Sequence, residues 1–529
     1  MDRREKNLTL LATILGSSIV FLDGTVVNVA LPAIQEGLDT GLATQQWVVE
    51  AYLLTLVAVL LVGGSLGDLY GRRRMFMIGL VGFALTSALC AVAPSGGFLI
   101  AARALQGIAG ALLVPGSLAI LSATFKGEER GRAIGTWTAW SGIATVIGPA
   151  GGGLLVDALD WRWIFWINLP LILVALYLAR TAVRESSDPD ACPGIDKVGI
   201  GLSAVGLAGP VFALIEQPRE GWGSPLVLAP MLIGLLALGA FVAWESRTRA
   251  PMLPLSLFAV RNFSVANLST LAVYAALGGA LFFLSIFLQQ IGDYSAFEAG
   301  LATVPITIVM FLLSRRFGGL AMKIGPRLPM SVGPLLCGVG LILLTRLDAD
   351  ADYLTDVLPG LLPFSLGLAM TVAPLTATVL DAVEDRRAGI ASGVNNAVSR
   401  VASLLAIAVL GAVISAQFAG SAERGAAERA LPAEGSAALV AAGENPFAGA
   451  ETEGLPAGLA AEVEAVADDA AVDAFRLGTL IAGIIALAGG IIAAVGIVNP
   501  ARLKPANPPC GTEPNPCAEP AVAVGTQSA

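Results

Sequence analysis

Three ionisable residues stand inside stretches that are otherwise apolar: Asp23 in SIVFLDGTVVNVALPAI, Glu50 in QQWVVEAYLLTLVAVLL and Arg103 in LIAARALQGIAGALL. A charge at the centre of a membrane helix costs about 2.5–3.5 kcal/mol on insertion scales, so such a residue normally faces a cavity and marks a pathway. Burial favours the neutral form of a carboxyl, and an arginine beside it favours the charged form. Two acids and one arginine therefore make a set that can take up and release a proton as its surroundings change. The chain has no histidine, so proton chemistry falls to carboxylates. The same lack removes a Ser–His–Asp triad and the usual zinc ligand sets. The five cysteines, Cys90, Cys192, Cys337, Cys510 and Cys517, are scattered without a CxxC pair, so neither a metal site nor a disulfide framework is expected. No GxxxxGK[ST] phosphate loop occurs. The expectation is no catalytic residues, no metal and no cofactor.

The elements that must position these residues are membrane spans. The 529 residues are 56% hydrophobic and 13% charged, against roughly 25% charged in a soluble domain. Stretches of about 20 apolar residues predict fourteen spans, near 8–31, 44–66, 75–93, 98–122, 134–158, 164–181, 198–217, 225–244, 263–288, 297–314, 328–345, 357–380, 388–415 and 475–498. With the N-terminus inside, inner loops and tails hold twenty-three Lys and Arg and outer loops hold six. That bias places both termini in the cytoplasm. Asp23, Glu50 and Arg103 then fall at one depth, in the outer half. For Asp23 the alternative is a packing residue with a local partner; for Glu50 it is a side chain that snorkels to the interface near Trp47. Glu216, at the end of the seventh span, is expected to be wet.

Two glycine-rich segments repeat. Gly64-Ser-Leu-Gly-Asp68-Leu-Tyr-Gly71-Arg72-Arg73-Arg follows the second span, and Gly318-Gly-Leu-Ala-Met322-Lys-Ile-Gly325-Pro-Arg follows the tenth. A third, Gly142-Ile-Ala-Thr-Val-Ile-Gly148-Pro149-Ala-Gly151-Gly152-Gly153, lies in the fifth span. Its small residues permit close helix packing. Together with LDGTVVNVALPAI, R-A-L-Q-G at 103–107 and WRWIFWINLP at 161–170, these segments resemble the fourteen-span drug:proton antiporter branch of the major facilitator superfamily. The resemblance implies a cytoplasmic gate latch at Gly64, Asp68, Gly71, Arg72 and Arg73. It implies an antiporter seal at Gly142, Gly148, Pro149, Gly151 and Gly152, and proton coupling at Asp23 and Arg103, with Glu50 as a third member. Met322 stands where Asp68 stands in the first repeat, so the second latch reads as degenerate. Asn28, Asn395, Asn396 and Arg400 are candidate cavity residues. The WRWIFWINLP stretch reads as structural.

The implied fold is an all-α polytopic membrane protein of two six-helix bundles plus two extra spans. Residues 1–181 form the first bundle, 182–197 a polar cytoplasmic linker, 198–244 the inserted pair and 263–498 the second bundle. The second bundle carries a long external loop, 416–474, of which pieces such as LPAGLAAEVEAVADDAAVDAF could be helical at the membrane surface, and 499–529 form a disordered tail. The implied function is export of drug-like or antibiotic amphiphiles in exchange for protons, across a bacterial cell membrane, as a monomer with no nucleic-acid partner and no enzyme activity. The alternatives are a dedicated exporter of one natural product and a transport-inactive membrane sensor.

Overall fold

In hydrocarbon every backbone N–H and C=O must be satisfied within its own segment, so long apolar stretches fold as helices. The computed structural model describes residues 2–187, 196–248, 251, 253–383, 388–443 and 445–499. Within its helices it leaves out some side-chain surroundings, among them those of Gly64, Asp68 and Gly142. Cys192, Cys510, Cys517, Arg386, Arg387 and the expected tail from 500 onward lie outside the described residues. The helices are α1 (Arg3–Leu38), α2 (Leu42–Tyr70), α3 (Arg72–Ala91), α4 (Gly96–Thr124), α5 (Gly127–Ala158), α6 (Trp163–Trp166), α7 (Asn168–Ala182), α8 (Lys197–Glu220), α9 (Pro225–Glu245), α10 (Arg261–Gln290), α11 (Ala296–Ala302), α12 (Val304–Ile324), α13 (Arg327–Leu344), α14 (Leu358–Asp381), α15 (Ala388–Glu428), α16 (Ala433–Ala442) and α17 (Ala457–Gly496). Among the described residues thirteen helical segments are long and apolar enough to cross a bilayer. Helix α5 covers the remaining expected span.

Helices α1 to α5 and α7 share one core cluster that includes Phe76, Phe83 and Tyr52. Helices α10, α13, α14, α15 and α17 share another that includes Phe263, Met330 and Leu375. A third cluster crosses between the two groups and extends to the end of the bundle opposite the chain termini. That far end is where the groups are joined. Gln46 Nε2 donates to Ile407 O at 3.1 Å, Ser285 Oγ to Asn28 O at 3.2 Å and Gln290 Nε2 to Gln35 Oε1 at 3.2 Å. The Asp157 carboxylate accepts from the backbone N–H groups of Ala296 and Phe297, which start α11. Helices α8 and α9 pair with each other, and α8 rests on α2 and α15.

Several expectations are corrected. The 416–474 segment is largely helix: α15 runs on to Glu428, α16 adds a short turn and α17 begins at Ala457. Alanine is the best helix former, and Val463, Val466, Ala467, Ala470, Ala471 and Ala474 repeat at helical spacing and are buried. Gly425 faces Val466, so the two extensions pack closely. Phe447, 1% exposed, sits between Phe283 and Phe287. The gate segment is a corner of one residue, Gly71, because α2 continues to Tyr70. Arg315 and Arg316, expected in a loop, lie on α12. Glu216 is half-buried and accepts from Trp47 Nε1 at 3.1 Å, so it is held against α2 instead of hanging in water.

Candidate functional site: a buried carboxylate–arginine cluster

Asp23 is fully buried on α1. Arg103 of α4 donates to its Oδ2 through Nη1 at 2.5 Å. Gln106 Nε2, one turn further along α4, donates to Oδ1 at 3.1 Å, and Asn168 Nδ2 at the start of α7 does the same at 3.1 Å. Arg103 is held by further bonds. Its Nη1 also reaches Gln106 Oε1 at 2.7 Å and its Nε reaches Val48 O at 3.1 Å. The guanidinium lies over the Tyr52 ring at 4.2 Å. Stacking on an aromatic face and a fixed fork of donors are arginine properties that lysine does not share.

Glu50 is the opposite case. It is 0% exposed, and neither carboxylate oxygen has a hydrogen-bond partner. It does not snorkel, because it stands two turns inside α2. The expected common depth does not hold. At 1.5 Å per residue Glu50 is about 12 Å from the far end of α2 and Asp23 about 22 Å from that of α1, because α1 extends to Leu38. Arg103 reaches Asp23 with its long side chain.

The antiporter segment lies directly behind this cluster. Gly148 faces Thr25 and Gly152 faces Val26, so a side chain at either would collide with α1 within two turns of Asp23. Gly153 and the Pro149 carbonyl meet Ala296 and Gly300 of α11, across the halves. Gly151 makes no tight contact. At the gate corner, Gly71 has φ +102° and abuts Glu185, whose carboxylate accepts from the N–H groups of Arg73 and Arg74 at 3.0 and 3.1 Å. Of the candidate cavity residues, Asn395 donates to Asn267 and Thr270, Asn396 is exposed, and Asn28 Oδ1 is buried without a partner. Arg400 lies at the Phe21 ring, 6.0 Å from its centroid. Sequence reading missed Gln106, Asn168, Tyr52 and Glu185. The signal for Asn168 was present, as a buried amide at a helix start, but it was read as structural.

The family model for the Major Facilitator Superfamily matches residues 13–407. The chain belongs to this superfamily. Relatives include the puromycin resistance protein pur8 of Streptomyces alboniger, 39% identical over 64% of this chain and 68% of that one. The multidrug resistance protein Stp of Mycobacterium tuberculosis (strain CDC 1551 / Oshkosh) is 38% identical over 64% of each chain. The tetracenomycin C resistance and export protein of Streptomyces glaucescens is 36% identical over 65% of this chain and 64% of that one. The matched stretch thus spans about two thirds of these relatives' length. A solved bacterial homolog of the human lysosomal transporter Spinster superposes over 95% of this chain and 100% of that chain with TM-score 0.64 at 17% identity, and shares the fold. The superfamily member described here is a multi-pass membrane protein, in line with the resistance proteins it resembles.

Proposed function

We propose that this chain exports drug-like or antibiotic amphiphiles from a bacterial cell in exchange for protons. The relatives' names support export of such compounds. One observation carries the proton part: the buried Glu50 carboxylate has no hydrogen-bond partner, whereas the buried Asp23 carboxylate has three donors. An ionised carboxylate stripped of water and donors is prohibitively costly, so it neutralises instead. Glu50 is accordingly the protonated acid in this conformation. Asp23 is instead paired with Arg103 and bonded by Gln106 and Asn168. The coupling set is thus Asp23, Arg103 and Glu50, with Asp23 and Arg103 as the fixed pair and Glu50 as the group that exchanges.

The closed far end explains why the exchange would be gated. Gln46, one turn before Glu50, is bonded to α15 across the halves. When that seam parts, water reaches Glu50 and its proton can leave or arrive. With the termini in the cytoplasm, the conformation described is the one shut to the outside. The Gly148–Gly153 face and the Gly71 corner would seal the far and near ends in turn. No bond is made or broken in the cargo, so the cycle needs no catalytic group. The test is uphill transport of a dye panel by the purified protein in liposomes, with and without an imposed pH gradient. Gradient-dependent accumulation is the expected result, and transport indifferent to the gradient would refute proton exchange. The orientation is tested with a cysteine at Val440, which is 80% exposed on the far side. It should label from outside intact cells, and labelling only after permeabilisation would refute the topology.

A further inference from the structure

Arg103 and Arg400 both lie within apolar helices, but only one is neutralised. Among the described residues Arg400 forms no ion pair and no hydrogen bond. Its neighbours come from three helices and both halves: Phe21 of α1 at the guanidinium, with Tyr52 of α2 and Tyr274 of α10 within reach of its charge. It is partly exposed, and given those neighbours the exposed part opens into the space between the halves. About 18 Å of helix separates it from the start of α15, so it stands deep in the membrane. With Asp23 cancelled by Arg103 and Glu50 neutral, Arg400 is an uncompensated cation beside aromatic faces. A desolvated cation is stable when paired with an anion.

A second observation points the same way. Arg315, Arg316 and Lys323 are exposed along α12, the helix that meets α5 across the halves. Arg315 is about 13 Å of helix from the terminal end of α12. A charge at that depth faces a water-filled cavity and not lipid. The approach and the centre are thus both basic.

We propose that the cargo carries an anionic group, a carboxylate or an acidic phenol or enol, on an aromatic body, and that Arg400 binds that group. The arginine fork matches a carboxylate in two parallel hydrogen bonds, and Phe21 and Tyr274 cover the ring system. A purely cationic cargo would meet like charge at Arg400, which discriminates against it. This deepens the export reading and rests on it.

The test uses two dyes that differ only in one group: rhodamine 110, with a free carboxylate, and rhodamine 123, its methyl ester. Binding to the purified full-length protein is measured by fluorescence polarisation, and gradient-driven uptake is measured in proteoliposomes. The acid should bind at least about tenfold tighter than the ester, the scale of a hydrogen-bonded charge. In Arg400→Gln the two should bind within about twofold of each other, and Arg400→Lys should keep part of the preference. Equal binding of acid and ester by the parent, no binding of either dye, or an intact preference in Arg400→Gln would overturn the proposal. Accumulation of both dyes with no acid preference sinks this inference and leaves proton-driven export standing. An acid preference with no gradient-driven uptake does the reverse.

Discussion

The two halves turn the same corner with different chemistry. Gly71 before α3 has φ +102°, and Gly325 before α13 has φ +91°. In each case a side chain three residues past the last helix of that half wedges against the glycine and accepts from the start of the next helix. Glu185 follows α7 and takes the N–H groups of Arg73 and Arg74; Asn499 follows α17 and takes that of Arg327 at 3.0 Å. The backbone geometry is repeated, but the side chain that fills the first corner is charged and the one that fills the second is not. The same contrast reaches the membrane interior. The first half holds an arginine locked to an aspartate by amides and aromatic faces, while the second holds an amide network, Asn267–Asn395–Thr270, and a free guanidinium at Arg400. On the proposed reading, the repeated scaffold is divided between proton exchange in the first half and cargo recognition in the second.

The comparison breaks first at its most heavily bonded point. Asp23→Asn strands the Arg103 charge, and breaking a buried pair costs about 3–5 kcal/mol. Thermal unfolding in detergent should show a large drop, and the double variant Asp23→Asn/Arg103→Gln should recover much of it without recovering uphill transport. A single variant as stable as the parent would show that the pair is not formed. Next come the corners. Gly71→Ala and Gly325→Ala each force a side chain into a positive-φ conformation, at about 1–3 kcal/mol, so their melting temperatures should fall by similar amounts. Glu185→Gln should weaken the first corner in a salt-dependent way, whereas Asn499→Ala should lose about 1 kcal/mol, typical of a helix cap, with no salt dependence. Equal salt responses would erase the distinction between the corners. Smallest in stability is Asn445→Ala. Asn445 Oδ1 accepts from Leu42 N at 2.6 Å and ties the helical insertion to α2. Its loss should cost about 1 kcal/mol and raise the reactivity of a cysteine placed at the far-end seam.

What was legible in the sequence follows from contrast. Asp23 and Arg103 stand out because charge is rare in apolar helices, and they do meet. Gln106 and Asn168 are uncharged, and an amide in a hydrophobic stretch reads as background until its partner is known. Glu50 was visible but its burial was not, since that depends on α15 covering α2. The insertion after α15 reads as an external loop with pieces, such as 455–475, that could be helical, because alanine-rich helix with scattered acids looks like a solvated linker. Only its register, with Val463, Val466 and Ala470 on one face, betrays it. The repeat of Gly71 and Gly325 was readable, while the side chains that fill those corners lie over a hundred residues away and carry no local signal.

The central claim is that Glu50 carries the exchanged proton while Asp23 and Arg103 remain paired. Glu50→Gln keeps the shape of a neutral acid and, because Glu50 has no donor to lose, should fold as well as the parent. In proteoliposomes this variant should let a preloaded dye equilibrate downhill at close to the parental rate, yet fail to concentrate it when a pH gradient is imposed. Accumulation to the parental level under the same gradient would contradict the account.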